Sequence, residues 1–131
     1  MPTTYKPDTY YRFNGFAPNW LATSGVMNYC EENGCHWVLD TLASYAPTMA
    51  KRQGLDYLLV VEVRRTDGQG GIFTIKQETH DGNSHGEEIV VRQDFDYTSL
   101  KRNLKFWAIN ESMDGKHDPS AKTIVMLPEE Y

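Results

Sequence analysis

Apolar and polar residues along the chain first recur with no fixed period, then at helical spacing, then in strict alternation. Between residues 24 and 45 the helical period dominates. Val26, Met27 and Cys30 mark one apolar face, and Thr23 or Ser24 ahead of it can cap the first turn, because a hydroxyl satisfies an amide that has no intrahelical partner. Asn33-Gly34 ends that helix, since glycine accepts the left-handed conformation a helix terminus needs. A second helix is predicted from Cys35 until Pro47 forbids continuation, with 48–54 as a connector.

Leu55 to Arg64 is dense in leucine and valine, and Ile72 to Thr79 alternates apolar with polar, so both read as strands. Thr66 to Gly71 between them has the glycine content of a hairpin turn. Ile89 to Phe95 predicts a third strand. Leu100, Leu104, Trp107 and Ala108 recur at helical spacing behind Thr98 or Ser99 and predict a third helix, although Phe106, Trp107 and Ile109 also suit a strand. Thr123 to Leu127 closes the series as a strand. Residues 1–20, rich in tyrosine, phenylalanine and tryptophan but broken by Pro7, Gly15 and Pro18, read as an aromatic, irregular wrap. The order α-α-β-β-β-α-β predicts an α+β domain with an antiparallel sheet of about four strands and helices on one face.

The second helix is apolar on nearly every side yet carries Asp40 in its middle. A carboxylate taken out of water costs several kcal/mol unless it is hydrogen-bonded, so Asp40 is expected to be an internal anchor, with Trp37 and Ser44 beside it in structural roles. At 131 residues the chain suits a single domain that needs no staple, and Cys30 and Cys35 are expected as free thiols. The longest apolar run, Leu58 to Val61, is too short to span a bilayer and the N-terminus lacks a signal core. A cytoplasmic location is expected, with no membrane association.

Charge adds a further constraint. A formal net charge of −5 disfavours direct binding to nucleic acid and favours partners with basic surfaces. It is unevenly spread: Glu78, Asp81, Glu87, Glu88, Asp94 and Asp96 fall in one stretch, and Lys101, Arg102 and Lys105 follow it.

Three blocks carry a resemblance. Thr23-Ser-Gly-Val26, the run from Gly34 through Trp37 and Asp40 to Ser44, and the terminal Ile124-Val-Met-Leu-Pro-Glu-Glu-Tyr131 resemble a family of short bacterial and phage proteins described only as a domain of unknown function. That family pairs a Thr-Asp-Gly-Val start and a Gly-Ala-Tyr-Trp-Leu-Leu-Asp helix with a Leu-Pro-Ser-Glu-Tyr tail. Here Ser24 replaces the acidic residue, Glu129 replaces the serine, and Phe13-Asn-Gly-Phe16 lacks the family's Thr-Glu. The resemblance implies a shared fold and a bacterial or phage origin, and brings no catalytic residue.

His36, Asp40 and Ser44 share one helical stripe and offer the ingredients of a hydrolytic triad, but the order is wrong: the carboxylate lies between the other two. Cys30, Cys35 and His36 with His80, His85 or His117 could supply zinc ligands, yet Cys-x4-Cys with scattered histidines lacks the paired spacing of structural zinc sites. No metal or cofactor is expected. The glycines between 68 and 71 precede a strand, which suits a turn and not a phosphate cradle. What remains is contact chemistry: Tyr10 and Tyr11 as an exposed aromatic pair or dimer seam, Glu87, Glu88, Asp94 and Asp96 as an acidic surface, and Lys101, Arg102 and Lys105 as a small basic one. The expectation is a non-enzymatic interaction protein of phage or mobile-element origin that binds a host protein or protein–nucleic acid complex, as an inhibitor of a nucleic-acid-guided defence machine, with a homodimer as an added assembly. Its rivals are a small enzyme using Asp40 and a histidine as acid and base, and a weak nucleic-acid-binding module.

Overall fold

A computed structural model describes residues 10–15, 17–66, 70–81, 84–96, 100 and 102–131. In chain order they form strands β1 (Tyr10–Arg12) and β2 (Trp20–Thr23), helices α1 (Ser24–Asn33), α2 (His36–Ser44) and α3 (Ala46–Lys51), then strands β3 (Leu58–Arg65), β4 (Gly71–Asp81), β5 (Ser84–Phe95), β6 (Leu104–Asn110) and β7 (Thr123–Met126), with a 3-10 turn over Pro128–Glu130. All seven strands lie in one sheet, ordered β1-β2-β7-β6-β3-β4-β5. Only the β2–β7 pairing is parallel, so the sheet is mixed. Through those pairings β2 and β3 run in the same direction, and the chain between them must cross over the sheet; α1, α2 and α3 are that crossover.

Local chemistry sets the helix limits. The Thr23 hydroxyl accepts a hydrogen bond from Val26 N–H at 3.2 Å and caps α1, and Gly34, at φ 62°, ends it while Cys35 N–H donates to the Cys30 carbonyl at 3.0 Å. In α2 the apolar positions Val38, Leu39, Leu42 and Ala43 are buried on the sheet side. They meet Leu59, Val61 and Val63 of β3, Phe73 and Ile75 of β4, Phe106 and Ala108 of β6 and Val125 of β7 in a single core. Trp37 sets the far end of α2 by meeting Phe95 edge to face, centroids 5.2 Å apart, and Tyr45 donates its hydroxyl to Gln93 of β5 at 2.5 Å.

The α+β class stands, with helices packed on one face, but the sheet has seven strands where about four were expected: β1 lies within the supposed wrap and β2 begins at its last residue. β2 pairs with β1 on one side and joins the rest of the sheet only through β7, about a hundred residues later, which no local pattern announces. The stretch 104–110 is a strand and not the predicted helix. Leu104, Phe106, Ala108 and Asn110 are buried on the helix side, while Trp107 and Ile109 fill the other face, so a central strand with apolar residues on both faces imitates helical spacing. Pro47 starts α3 where it was expected to end α2, because a helix's first turn has no use for the missing N–H.

Asp40 requires the largest correction. It is exposed, as are His36 and Ser44, on the side of α2 turned away from the sheet. Asp40 therefore has no burial penalty to recover and anchors nothing. Trp37 is half-buried, with its ring edge to face against Phe95.

Candidate functional site

Helices cover one face of the sheet, and side chains of alternate residues on β2 to β7 populate the other. Strand register arranges them in rows. The first row runs Leu21, Ile124, Ile109, Leu58 across β2, β7, β6 and β3. A second runs Met126, Trp107, Val60, Lys76, Ile89, and a third Lys105, Glu62, Thr74, Arg92. Arg64, Ile72 and Asp94 make the fourth. Most of these side chains are half-buried by one another and are absent from the core, as is Ile124 even though it is only 4% exposed. Ile89 is 51% exposed, and Tyr131 at the border 64%.

The face divides by chemistry. Its β2, β7, β6 corner is apolar, and its β3, β4, β5 side is charged. Lys76 Nζ meets Glu62 Oε1 at 3.2 Å with both side chains about four-fifths shielded, whereas the Arg92–Asp94 pair at 3.0 Å is largely exposed. Counting Glu78 and Glu87, which extend the first row along the β4–β5 ribbon, and Arg12, which extends it onto β1, four acids stand with five bases: Glu62, Glu78, Glu87 and Asp94 with Arg12, Arg64, Lys76, Arg92 and Lys105. Beneath them the Thr74 hydroxyl, in a residue only 6% exposed, has no hydrogen-bond partner among the described residues.

The C-terminal turn borders the apolar corner. Tyr131 packs edge to face on Trp107 at 5.1 Å, and its hydrogen bond with Tyr57 raises the Tyr57 phenol above its ordinary range. Glu130 Oε1 accepts from the Thr23 hydroxyl at 2.7 Å and from Leu127 N–H at 2.9 Å. A Cβ on Gly25 would lie 2.6 Å from Glu130 Oε2, so only glycine lets this carboxylate reach the amino end of α1, where the helix dipole favours a negative charge. Two blocks that carry the sequence resemblance, Thr23-Ser-Gly-Val26 and the Glu-Tyr tail, thus meet in space and hold each other.

Residues singled out from sequence disperse. Tyr10 and Tyr11 are exposed at 42% and 43% on the edge strand β1. Glu88 points to the helix side, where it accepts from Gln77 Nε2 and pairs with Arg52, both at 2.8 Å. Asp94 sits on the bare face beside Arg92, while Asp96 is exposed past the end of β5, so the four acids form no common surface. Lys101 lies outside the described residues; Arg102 is exposed ahead of β6 and Lys105 stands between β3 and open solvent on the bare face, so no basic helix face exists there.

The catalytic and metal candidates scatter likewise. Ser44 donates its hydroxyl to the Thr41 carbonyl at 2.6 Å. A cleft of about 540 Å³ holds Asp56, Tyr57, Gln77, Glu78 and Lys116, and a smaller one of about 170 Å³ holds Trp20, Pro47, His117 and Pro119; neither includes His36, Asp40 or Ser44. Cys30 and Cys35 are buried side by side, and the Cys30 thiol is pushed up by its hydrogen bond to Cys35 and by burial. The His117 ring lies 6.1 Å from Trp20, tilted by 35°, with a buried Nδ1 that has no hydrogen-bond partner among the described residues, and burial holds it below the ordinary 6.5 against the opposing charge of Asp118. The side chains of His80 and His85 fall outside the described set. Among the described residues no three His, Cys, Asp or Glu side chains converge as a metal site, and no helix is long and apolar enough to cross a membrane.

Sequence reasoning missed the surface of Trp107, Ile109 and Val60, because reading Leu100, Leu104, Trp107 and Ala108 as one helix face took Trp107 and Ile109 away from the strand beside Val60. A period of two from Leu104 to Asn110 was the available signal. A family model described as a family of unknown function (DUF6876) matches residues 3–131, and the chain belongs to that family. No curated protein and no solved structure matches it.

Proposed function

We propose that this member of the family is a non-enzymatic interaction protein that docks a protein surface on the helix-free face of its sheet. One observation carries the reading: the seven-stranded sheet is covered by helices on one side only, and the other presents two largely apolar rows built on Leu58, Val60, Trp107, Ile109 and Met126. A sheet face with contiguous apolar side chains is what interfaces use, with tryptophan and tyrosine as anchors and charged groups toward the border. Trp107, Tyr131 and Tyr57 supply the anchors, and the charged rows on β3, β4 and β5 supply the border.

Four acids interspersed with five bases leave that face close to neutral and speak against nucleic acid as the ligand, which would need a strongly positive surface. The exposed His36, Asp40 and Ser44 stripe, which lines neither cleft, gives acid–base chemistry no shielded setting. A phage origin, an inhibitory role and a nucleic-acid-guided defence complex find no support in the fold, the face or the family match.

The test compares proteins captured from a bacterial lysate by immobilised wild type, Val60→Asp and Asp40→Lys. Proteins retained by wild type are expected to be lost with Val60→Asp and kept with Asp40→Lys. Identical capture by all three would refute the docking face.

A further inference from the structure

The two cysteines stand five positions apart in sequence and meet at the joint between α1 and α2. Gly34, at φ 62°, turns the chain, and Cys35 N–H then donates to the Cys30 carbonyl at 3.0 Å. A backbone hydrogen bond of that length leaves the Cα atoms of the two residues no further apart than about 7 Å, the limit of what a disulfide spans. It also closes a helix terminus in which the side chains at these same two positions come into contact. Here both contacting side chains are thiols: Cys30 S–H donates to the Cys35 sulfur, and neither residue is exposed. Any two small apolar residues would serve the packing, whereas two thiols add a reaction.

We propose that Cys30 and Cys35 form a redox site, a dithiol that hydrogen peroxide converts into a disulfide tying the end of α1 to the start of α2. The site lies on the helix side of the sheet and does not depend on the docking reading.

Position divides the labour between the two sulfurs. Cys35 is the N-cap of α2, where the helix dipole favours a negative charge, and its side chain makes no bond to the helix amides. The S–H donated by Cys30 favours the Cys35 thiolate as well, so the Cys35 thiol is held below its ordinary range while that of Cys30 is raised. Cys35 is therefore the attacking sulfur. Its thiolate bonds to one peroxide oxygen as the O–O bond breaks, and the departing hydroxide leaves as water with the proton the thiol had shed. Cys30 then loses its proton, bonds to the Cys35 sulfur and expels the S–OH oxygen as a second water. Two thiols give up two electrons, and one peroxide takes them. Access comes through the turn: Glu31, Glu32, Asn33 and Gly34, which join the two cysteines, are all exposed, so the thiols lie one layer beneath the surface. A local lift of that turn admits a molecule as small as peroxide while the sheet and its core stay folded.

Reduced wild type, Cys30→Ala and Cys35→Ala are treated with hydrogen peroxide in native buffer, with and without dimedone, then unfolded, alkylated with iodoacetamide and measured as intact masses, with circular dichroism checking that each variant folds. Wild type is expected to lose two hydrogens in mass and take up no alkyl group, and dithiothreitol should restore both alkylation sites. Cys30→Ala should carry a dimedone adduct, because the Cys35 sulfenic acid has no thiol to close on, and Cys35→Ala should acquire one at least about tenfold more slowly. Oxidised wild type should melt higher than the reduced protein, since the closed loop persists in the unfolded chain. Wild type that keeps both thiols under conditions that oxidise the urea-unfolded chain overturns the proposal, as does a disulfide between two chains or a bridge that lowers the melting temperature. Equal dimedone uptake by the two variants overturns the assignment of Cys35 as the attacking sulfur. The wild-type masses decide the disulfide even where a variant fails to fold.

Discussion

Val60 and Val61 are neighbours in β3 and chemically identical, yet they belong to different parts of the molecule. Val61 is wholly buried and pairs across strands with Ile75 and Phe106 under the helices; Val60 is half-buried and lies between Lys76 and Trp107 on the bare side. Strand geometry makes this separation: alternate side chains point to opposite faces, so one strand serves folding with one set of residues and contact with the other. The helix-covered face holds Phe73, Phe106, Leu39 and Leu42 with no water access, whereas the bare face is apolar at one corner and charged at the other. On the proposed reading, apolar surface that folding has not used is left for association.

The contrast is open to attack through mutation. Phe106→Ala, which empties a fully buried site, is expected to cost about 4 kcal/mol in urea unfolding. Trimming Val60 to Ala on the other face should cost about 1 kcal/mol or less, as that side chain is only partly shielded and borders no sealed core.

The Glu130 tie gives a smaller effect with an informative sign. Glu130→Ala removes two hydrogen bonds to a carboxylate and should cost about 2 kcal/mol. Gly25→Ala should destabilise the wild type, because its Cβ would collide with Glu130, and stabilise the Glu130→Ala protein, where helix propensity alone acts. Absence of that sign change would show that the carboxylate does not dictate glycine at 25.

Acid probes the packed side once more. The unfolded chain protonates His117 near the ordinary 6.5, while the folded protein, having buried the ring, protonates it less readily. The folded state is then favoured in full above that value and loses ground as pH falls below it toward the lowered one, so Tm should begin to drop as pH passes below the ordinary 6.5. His117→Gln should flatten that part of the profile. The smallest effect is expected at Asp40: Asp40→Asn should change stability by less than about 0.5 kcal/mol, as befits an exposed position on the outer side of α2.

What could be read from sequence followed the range of the interaction that decides it. Caps and breaks were legible: Thr23, one of the two candidates, as the N-cap of α1, Gly34 as its end, and the antiparallel return of β4 along β3 all depend on residues a few positions apart, while 67–69 of the expected turn lie outside the described residues. Pairings across the chain were not. β2 becomes a strand because Ile124 and Val125 lie beside it, and no local signal in Trp20 to Thr23 encodes that. Asp40 misled because an apolar helix suggests burial all round, whereas α2 contacts the sheet with one side and water with the other. The contact face was hidden by the same strand, β6, whose double-sided apolar content resembles a helix. Membership of the family was legible because Thr23, Gly25 and Glu130 answer one another structurally, and such mutual constraints leave recognisable motifs.

The claim that one face folds the protein while the other contacts a partner is tested most directly by equilibrium unfolding of Val60→Asp beside Val61→Asp at a concentration low enough to keep both as monomers. The account predicts that Val61→Asp, with a charge placed in the sealed core, fails to fold cooperatively, and that Val60→Asp unfolds in a single transition within about 2 kcal/mol of wild type. Equal loss from the two substitutions would contradict it.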